Sequence, residues 1–364
     1  MNILILSGSN SSFNQLRPEF EICIGLMGRG HSITFVIEPD SVYVPRLKEL
    51  GIKLLHCYPT RKICKKTIKA LRQELSAHHY DIIYASNSKT IPNAAFSAVG
   101  FPAKLVIYRG TTGGAYWYDP TNYLTIFNPR ADGVVCVSEA VRKYLLPRFI
   151  NTKTRLVTIQ KGHDIAWYDK SPADLSEFGI TNSDFPIVCV ANARPCKGLR
   201  YLLEAARELS HISNLHILLV GKDMNVEPYI SQIEQSNMAE RIHLTGFRQN
   251  APEIIAACKL LVLPSLRDGF PRVILEAMGY GVPPIATDSG GPAEVIDSGK
   301  DGYIVPIQDS AAIARRIIEL YENPELIESM SAECRKKVKT TLSIQVSIEK
   351  YINFFESLLA VRQR

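Results

Sequence analysis

Short apolar runs rich in β-branched residues recur along this chain, with helix-length segments in many of the gaps, and the pattern runs through twice. The first set is Ile3–Ser7, Ile33–Ile37, Lys53–Cys57, Ile82–Ala85, Leu105–Tyr108 and Val134–Val137. It restarts as Ile187–Ala191, Leu215–Val220, Ile242–Leu244, Leu260–Pro264 and Pro284–Thr287. Strands buried on both faces read as continuous apolar runs, and alternation with helices implies a parallel, doubly wound sheet. Leu199, Leu202, Leu203, Ala206 and Leu209 form a stripe at helical spacing between the first two runs of the second set. Three further helical segments are expected after Asp309. The fold class is therefore α/β, with two Rossmann-like doubly wound domains.

A length of 364 residues suits two such domains, since single cores stop growing at about 250–300 residues. The polar, proline-containing stretch from Tyr168 to Asp174 is the candidate linker. It sets a first domain at 1–168 and a second at 169–344, with a C-terminal helix at about 345–364 placed to pack back on the first. No stretch approaches the ~18 consecutive apolar residues that would span a bilayer. The N-terminal residues lack a basic region and a small-residue cleavage site, so a cytoplasmic location without a signal peptide is expected. Eight cysteines are scattered without any CxxC pair, several inside apolar runs such as Val188-Cys189-Val190. They read as reduced, buried thiols rather than metal ligands. The net charge of +6 is too mild to argue for nucleic acid, and it is compatible with anionic ligands or an anionic membrane surface.

Ligands in open parallel sheets bind beyond the carboxyl ends of the strands, so the chemistry belongs to the loops there. The most informative loop runs from Leu263 through Asp268, Gly269, Phe270, Pro271, Arg272 and Val273 to Glu276 and Gly281. A buried strand ends near Ser265, Asp268-Gly269 makes a turn, and a helix begins near Pro271, where proline suits the first helical position. The unpaired N–H groups and dipole of that helix form a site for a diphosphate. Glu276, about one and a half turns in, can accept paired hydrogen bonds from a ribose diol. An unpaired carboxylate among Val273, Ile274, Leu275, Ala277 and Met278 would be costly. Asp268 can reach hydroxyls on the sugar side.

This frame, two acidic residues with seven between them followed by Ala277, resembles the retaining GT-B glycosyltransferases of family 4, the glycosyl transferases group 1. Their pattern is Glu-Gly-Phe, five residues, then Glu-Ala; here Asp268 replaces the first Glu. Gly281–Ile296 and Asp301–Pro306 also look like the family, so the resemblance covers most of the second domain. It implies a GT-B fold, two Rossmann-like domains facing across a cleft, with the donor on the second. Arg194 and Lys197 resemble the family's cations that grip the donor diphosphate, although their spacing is shorter than usual. Gly246-Phe247 matches the family position that contacts the nucleobase; taken alone, it would be ordinary loop packing.

In the first domain the resemblance thins. Gly8 and Ser9 follow the first strand where the family has a glycine-rich loop near the donor sugar and phosphate. The GxGxxG spacing of a dinucleotide site is absent, which disfavours a nicotinamide enzyme. Arg29-Gly30-His31 looks like the family's structural connection, so His31 is not expected to be catalytic. The family often has a histidine after the fifth strand; here the stretch reads Tyr108-Arg109-Gly110. Arg109 is either an anion contact or a structural arginine. Asn87 and Lys89 end the fourth strand near where the family holds its acceptor.

The resemblance implies transfer of a sugar from a UDP- or GDP-linked donor to a glycan or lipid-linked acceptor with retention, as in cell-surface polysaccharide or lipopolysaccharide synthesis. Asp268, Arg194 and Lys197 would carry the chemistry, without a cofactor or a metal. Read as a helix, Arg61, Lys65, Lys69 and Arg72 fall on one side with Lys62 and Lys66 beside them. This is either a docking face for an anionic membrane, on its inner side, or a solvated helix face. The rival readings are a GT-B nucleotide-sugar epimerase and a non-catalytic sugar-nucleotide-binding protein.

Overall fold

A computed structural model describes residues 1–8, 13–149 and 153–360. The first set of elements is β1 (Asn2–Leu6), α1 (Phe13–Gly28), β2 (Ser32–Val36), α2 (Val44–Glu49), β3 (Lys53–Leu55), α3 (Lys65–Ala77), β4 (Ile82–Ala85), α4 (Thr90–Ser97), β5 (Lys104–Arg109), β6 (Gly133–Cys136), α5 (Glu139–Leu145) and β7 (Arg155–Thr158). The second is β8 (Phe185–Val190), α6 (Leu199–Leu209), β9 (Leu215–Val220), α7 (Tyr229–Glu234), β10 (Ile242–Gly246), α8 (Ala251–Ala256), β11 (Leu260–Leu263), α9 (Arg272–Tyr280), β12 (Pro284–Thr287) and β13 (Tyr303–Val305). Helices α10 (Ser310–Glu322), α11 (Pro324–Lys339) and α12 (Ile344–Ala360) follow.

Among the described residues the strands form two wholly parallel sheets, ordered β3-β2-β1-β4-β5-β6-β7 and β10-β9-β8-β11-β12-β13. Each has the Rossmann-like switch point, where the chain leaves the first strand of the unit and winds to either side. Their central strands are almost fully buried, as continuous apolar runs require. The stripe from Leu199 to Leu209 coincides with α6 and packs inward among Ile187, Ile217, Leu219 and Ile313 of α10 in one core cluster.

The chain divides into Met1–Gly162 with Ile344–Arg364, and His163–Ser343. The first crossing therefore precedes the polar stretch from Tyr168 to Asp174. Tyr168 is buried inside the second unit, its ring edge-on to Tyr280. It also fills the space over Gly279, where a Cβ would lie 2.2 Å from its ring. Polarity and a proline do mark a loop here, but the aromatic residue at its start is a core residue. The C-terminal helix α12 packs on α1 of the first unit, with Ile348 in the space that a side chain at Gly25 would need.

Candidate functional site

In the second unit, the loops after β8 and β11 are tied together by the backbone. Leu266 N donates to Cys196 O at 2.8 Å. Gly198 makes this approach possible: at φ +64°, a Cβ there would lie 2.0 Å from Pro264 O. Lys197 N closes the turn onto Arg194 O at 2.8 Å. This local structure brings Lys197 Nζ to 2.5 Å from Asp268 Oδ2, with both side chains mostly buried. Arg194 is exposed, and its guanidinium has no ion-pair partner among the described residues.

A second backbone clasp shapes the other side of Asp268. Asp268 N donates to Ser289 O at 3.1 Å, and Gly291 N donates to Asp268 O at 2.9 Å. A Cβ at Gly291 would stand 2.4 Å from Gly269 O and 2.8 Å from Phe270 N, so only glycine lets the two loops touch here. The buried hydroxyls of Ser265 and Ser289, on either side of Asp268, have no hydrogen-bond partner in the described structure. Orphaned buried hydroxyls are uncommon.

Helix α9 begins at Arg272 with Pro271 as its cap residue, and no side chain caps it. Its first amides are thus available to an anion. Gly269 and Pro271 are buried, while Phe270, Arg272 and Val273 are half-buried at this helix entrance. Glu276 is 7% exposed, and its Oε1 accepts from Arg272 Nε at 2.8 Å. The sequence leaves that carboxylate's partner unspecified; the structure supplies the arginine one turn back. A carboxylate offers about four acceptor positions, so this one bond leaves capacity for a diol.

Gly246 closes β10 at φ +70°, beside a register shift in its pairing with β9. Phe247 is 49% exposed, and Lys222 Nζ lies 5.2 Å from its ring centroid. Lys222 escaped the sequence reading. Its position directly after β9, beyond a strand's carboxyl end, was the available signal.

The candidates of the first unit separate. Gly8, at φ +136°, accepts from Tyr58 Oη at 2.6 Å through its carbonyl, and Ser9 lies outside the described residues. Asn87 Nδ2 donates to that same Tyr58 Oη at 2.9 Å. Its Oδ1 accepts from the backbone N–H groups of Lys89 and Thr90 at 3.0 Å each. Both ends of Asn87 are therefore held by the fold, whereas the Lys89 side chain is exposed. Arg109 turns back on its own loop, donating to Thr111 O at 3.0 Å and to Gly113 O. Its structural role is met, and burial draws its guanidinium below the ordinary arginine value.

The basic segment is not one continuous helix. Arg61 and Lys62 precede α3, their carbonyls held by Nδ2 of the buried Asn93 at 3.0 and 3.1 Å. Lys65, Lys66 and Lys69 are exposed on α3. Arg72 instead donates to Ser97 O and Val99 O and lies over the Phe101 ring, so it braces α3 on α4. Among the described residues, no helix is long and apolar enough to cross a membrane.

A polar cluster that the sequence reading missed lies at the carboxyl ends of β1 and β4. Glu19 of α1 accepts from Lys161 Nζ at 2.7 Å and from Ser7 Oγ, and Ser86 Oγ donates to Ser7 Oγ at 2.9 Å. Lys161 also sits 4.1 Å over the Tyr108 ring. Burial pushes the Glu19 carboxyl up, but Lys161 and the serine hydroxyls outweigh it and hold the group below the ordinary carboxylate value. No spacing rule links residues so far apart in sequence.

The same second-unit loops fall within a known family. The family model described as "Glycosyl transferases group 1" matches residues 172–337, and "Glycosyltransferase Family 4" matches residues 20–167. The chain is similar to the UDP-Gal:alpha-D-GlcNAc-diphosphoundecaprenol alpha-1,3-galactosyltransferase of Escherichia coli, at 25% identity over 78% of this chain and 77% of that protein. It is also similar to the N,N'-diacetylbacillosaminyl-diphospho-undecaprenol alpha-1,3-N-acetylgalactosaminyltransferase of Campylobacter jejuni, at 24% identity over 90% and 91%. The chain spans about half the length of other curated relatives it matches: 48% of the N-acetyl-alpha-D-glucosaminyl L-malate synthase of Bacillus anthracis, at 27% identity over 50% of this chain, and 42% of EpsD of Bacillus subtilis. Among solved structures, Anabaena Alr3699/HepE in complex with UDP superposes with a TM-score of 0.79 at 22% identity, covering 98% of this chain and 100% of that one. A glycosyltransferase from Rickettsia africae gives 0.80 at 18%, covering 98% of each chain. Both likenesses show the fold.

Proposed function

We propose that this chain, which belongs to the family 4 glycosyltransferases, moves a sugar from a UDP- or GDP-linked donor to a glycan or lipid-linked acceptor. In this reading the anomeric configuration is retained, no metal takes part, and the product enters cell-surface polysaccharide or lipopolysaccharide synthesis. The observation that carries it is the Lys197–Asp268 pair, which joins a cation from the loop after β8 to the loop that runs into the uncapped amino end of α9. A cation, free amides and a sugar-facing carboxylate are the groups a departing nucleoside diphosphate and its sugar require.

As the anomeric carbon–oxygen bond breaks, its electron pair leaves with the diphosphate, whose growing charge Arg194, Lys197 and the amides near Phe270–Val273 stabilise. The sugar passes through an oxocarbenium-like centre. The acceptor hydroxyl bonds to carbon from the same face and gives its proton to the leaving phosphate. Asp268 positions the sugar and forms no covalent bond. Glu276 takes the ribose diol, and Phe247 with Lys222 faces the base. Metal independence rests on those cations and amides serving where a metal would. The Escherichia coli and Campylobacter jejuni relatives, named for diphosphoundecaprenol-linked sugars, support a lipid-linked acceptor. The exposed Lys65, Lys66 and Lys69, with Arg61 and Lys62, then suit an anionic membrane surface. Co-sedimentation with anionic liposomes at low salt tests that part.

The decisive test is a thermal-shift screen of nucleotides and nucleotide sugars, followed by product analysis with the ligand that binds. A ligand at a hundred times its Kd stabilises the fold by about 2.7 kcal/mol. Transfer or donor hydrolysis should disappear in Asp268→Ala and Arg194→Ala while both variants stay folded. Interconversion of the donor sugar without transfer would instead identify an epimerase. Binding without any turnover would leave a sugar-nucleotide-binding protein.

A further inference from the structure

In the first unit, the segment after β5 carries three consecutive aromatic side chains into solvent. Tyr116, Trp117 and Tyr118 are 44%, 68% and 66% exposed, values that are high for rings of this size. Contiguous exposed surface of this kind marks interaction sites. These rings are also ordered against one another. Tyr116 and Tyr118 stack with centroids 5.2 Å apart and planes 15° apart, and Trp117 stands edge-on to Tyr118 at 5.8 Å.

The backbone beneath them is fixed from several directions. Asn122 Nδ2 donates to Tyr116 O at 3.0 Å, and Tyr123 Oη donates to Trp117 O at 2.9 Å. Both donors come from a short 3-10 helix, Pro120–Leu124, which Asp119 caps through the Thr121 N–H. Ala115, just before the rings, is fully buried, and its N–H donates to Tyr144 Oη of α5 at 3.3 Å. A platform fixed in advance loses little further conformational entropy on binding.

The geometry points to this aromatic platform as the binding surface for a neutral sugar ring of the acceptor, an assignment that rests on the transferase reading above. Position and charge both favour that occupant. The segment follows β5 at the carboxyl edge of the sheet, where ligands of such sheets bind. From Gly110 to Pro129 the sequence holds no Lys or Arg and one acidic residue, Asp119. Its own residues therefore offer no cation to an anionic headgroup or a diphosphate, and the adjoining Arg109 is engaged by Thr111 O and Gly113 O, in contrast to the exposed basic residues at 61–69. Flat rings with polar edges match the C–H face and hydroxyl rim of a neutral saccharide.

The chain has two tryptophans, Trp117 and Trp167, so in Trp167→Phe the emission reports on Trp117 alone. The full-length variant is titrated with millimolar maltotriose, cellotriose and N,N′-diacetylchitobiose, and separately with phosphatidylcholine–phosphatidylglycerol vesicles. A saturable emission change with at least one saccharide is expected, and none with vesicles. By calorimetry, affinity for that saccharide should fall by about tenfold or more in Trp117→Ala and Tyr118→Ala, and stay near the parent value in Trp117→Phe. Binding of UDP or GDP, whichever the parent takes, should be the same in all of them. No response to any of the three saccharides, a response indifferent to Trp117 and Tyr118, or a blue shift with vesicles overturns the assignment. If neither UDP nor GDP binds the parent, the donor reading fails; if one of them binds and the saccharides do not, only the platform falls.

Discussion

Lys197 and Asp268 face each other as an ion pair 2.5 Å long, although 71 positions separate them in the chain. Each belongs to a loop beyond a different strand, and the contact exists because Cys196 O accepts the Leu266 N–H between those loops. The pair holds a cation and a carboxylate in fixed register beside the start of α9. Removing the cation should slow the reaction more than it loosens the fold. Lys197→Ala is expected to lower kcat by about 10²–10³-fold, the usual loss for one charge-stabilising donor. Leaving the mostly buried Asp268 carboxylate without its partner should also cost about 1–3 kcal/mol in stability. Steady-state turnover alongside thermal unfolding checks both; a large drop in Tm with kcat intact contradicts the assigned role.

Glycine at 198 is a steric requirement for that register. In Gly198→Ala, a left-handed φ of +64° and a Cβ 2.0 Å from Pro264 O act together. The backbone strain alone costs about 1–3 kcal/mol, and the carbonyl must also move, which shifts Lys197. Gly246 has a similar φ, +70°, with nothing within 4 Å of its Cβ position. Gly246→Ala should therefore cost only about 1–2 kcal/mol. Denaturant unfolding of the two variants should rank them in that order, and equal losses would remove the steric argument.

Glu276 offers a test of ribose recognition. The wild-type chain should bind its nucleoside diphosphate, UDP or GDP, more tightly than the 2′-deoxy form of the same nucleotide, because the buried carboxylate accepts from the ribose diol. Glu276→Gln should narrow that preference several-fold, since a neutral amide accepts less strongly. Calorimetry with the two nucleotides gives the comparison, and an unchanged ratio would assign Glu276 to bracing Arg272 alone.

Much of this is legible in the chain, and the reason differs from element to element. Ile82–Ala85, Leu215–Val220 and Pro284–Thr287 are readable to the residue, because buried parallel strands leave apolar runs, broken here only by His216 and closed by Thr287. β7 and β13 are not: Arg155–Thr158 has polar ends at a sheet edge, and Tyr303–Val305 is three residues long. Asp268 and Glu276 stand out because they share one loop and helix in a fixed frame. The clasp by Gly291 and the partner of Lys197 cannot be read, since each joins distant segments in space. Charge spacing suggests a helix through Arg61 and Lys62, but Asn93 draws their carbonyls out of it.

The Glu19–Lys161 pair in the first unit should behave as a buried ion pair. Their side chains are 14% and 18% exposed, and Lys161 lies just before the crossing into the second unit. Lys161→Met strands a buried carboxylate and should cost about 3–5 kcal/mol. Glu19→Leu combined with Lys161→Met removes both charges and should recover most of the loss. Equilibrium unfolding of the single and double variants measures this coupling. Additive losses would mean that the two groups contribute independently.

His216 and His243 give the second unit an acid-sensitive point. Their rings lie 7° from parallel and share a 2.9 Å hydrogen bond between Nδ1 of His216 and Nε2 of His243. Burial, the largest influence on each, holds both below the ordinary histidine value. Arg241 pushes His216 the same way, and Asp184 at 4.0 Å opposes it. Because the folded values are depressed, the unfolded chain takes up protons first as pH falls. Stability is thus complete above the ordinary value of about 6.5 and declines as pH drops below it toward the folded values. Each proton so linked contributes a slope of up to about 1.4 kcal/mol per pH unit. His243→Gln keeps a hydrogen-bonding side chain but cannot titrate, so its acid-side slope should be shallower than that of the wild type. Unfolding free energies between pH 7.5 and pH 5, compared at matched ionic strength, decide it, and parallel curves would show that this pair does not set the acid limit.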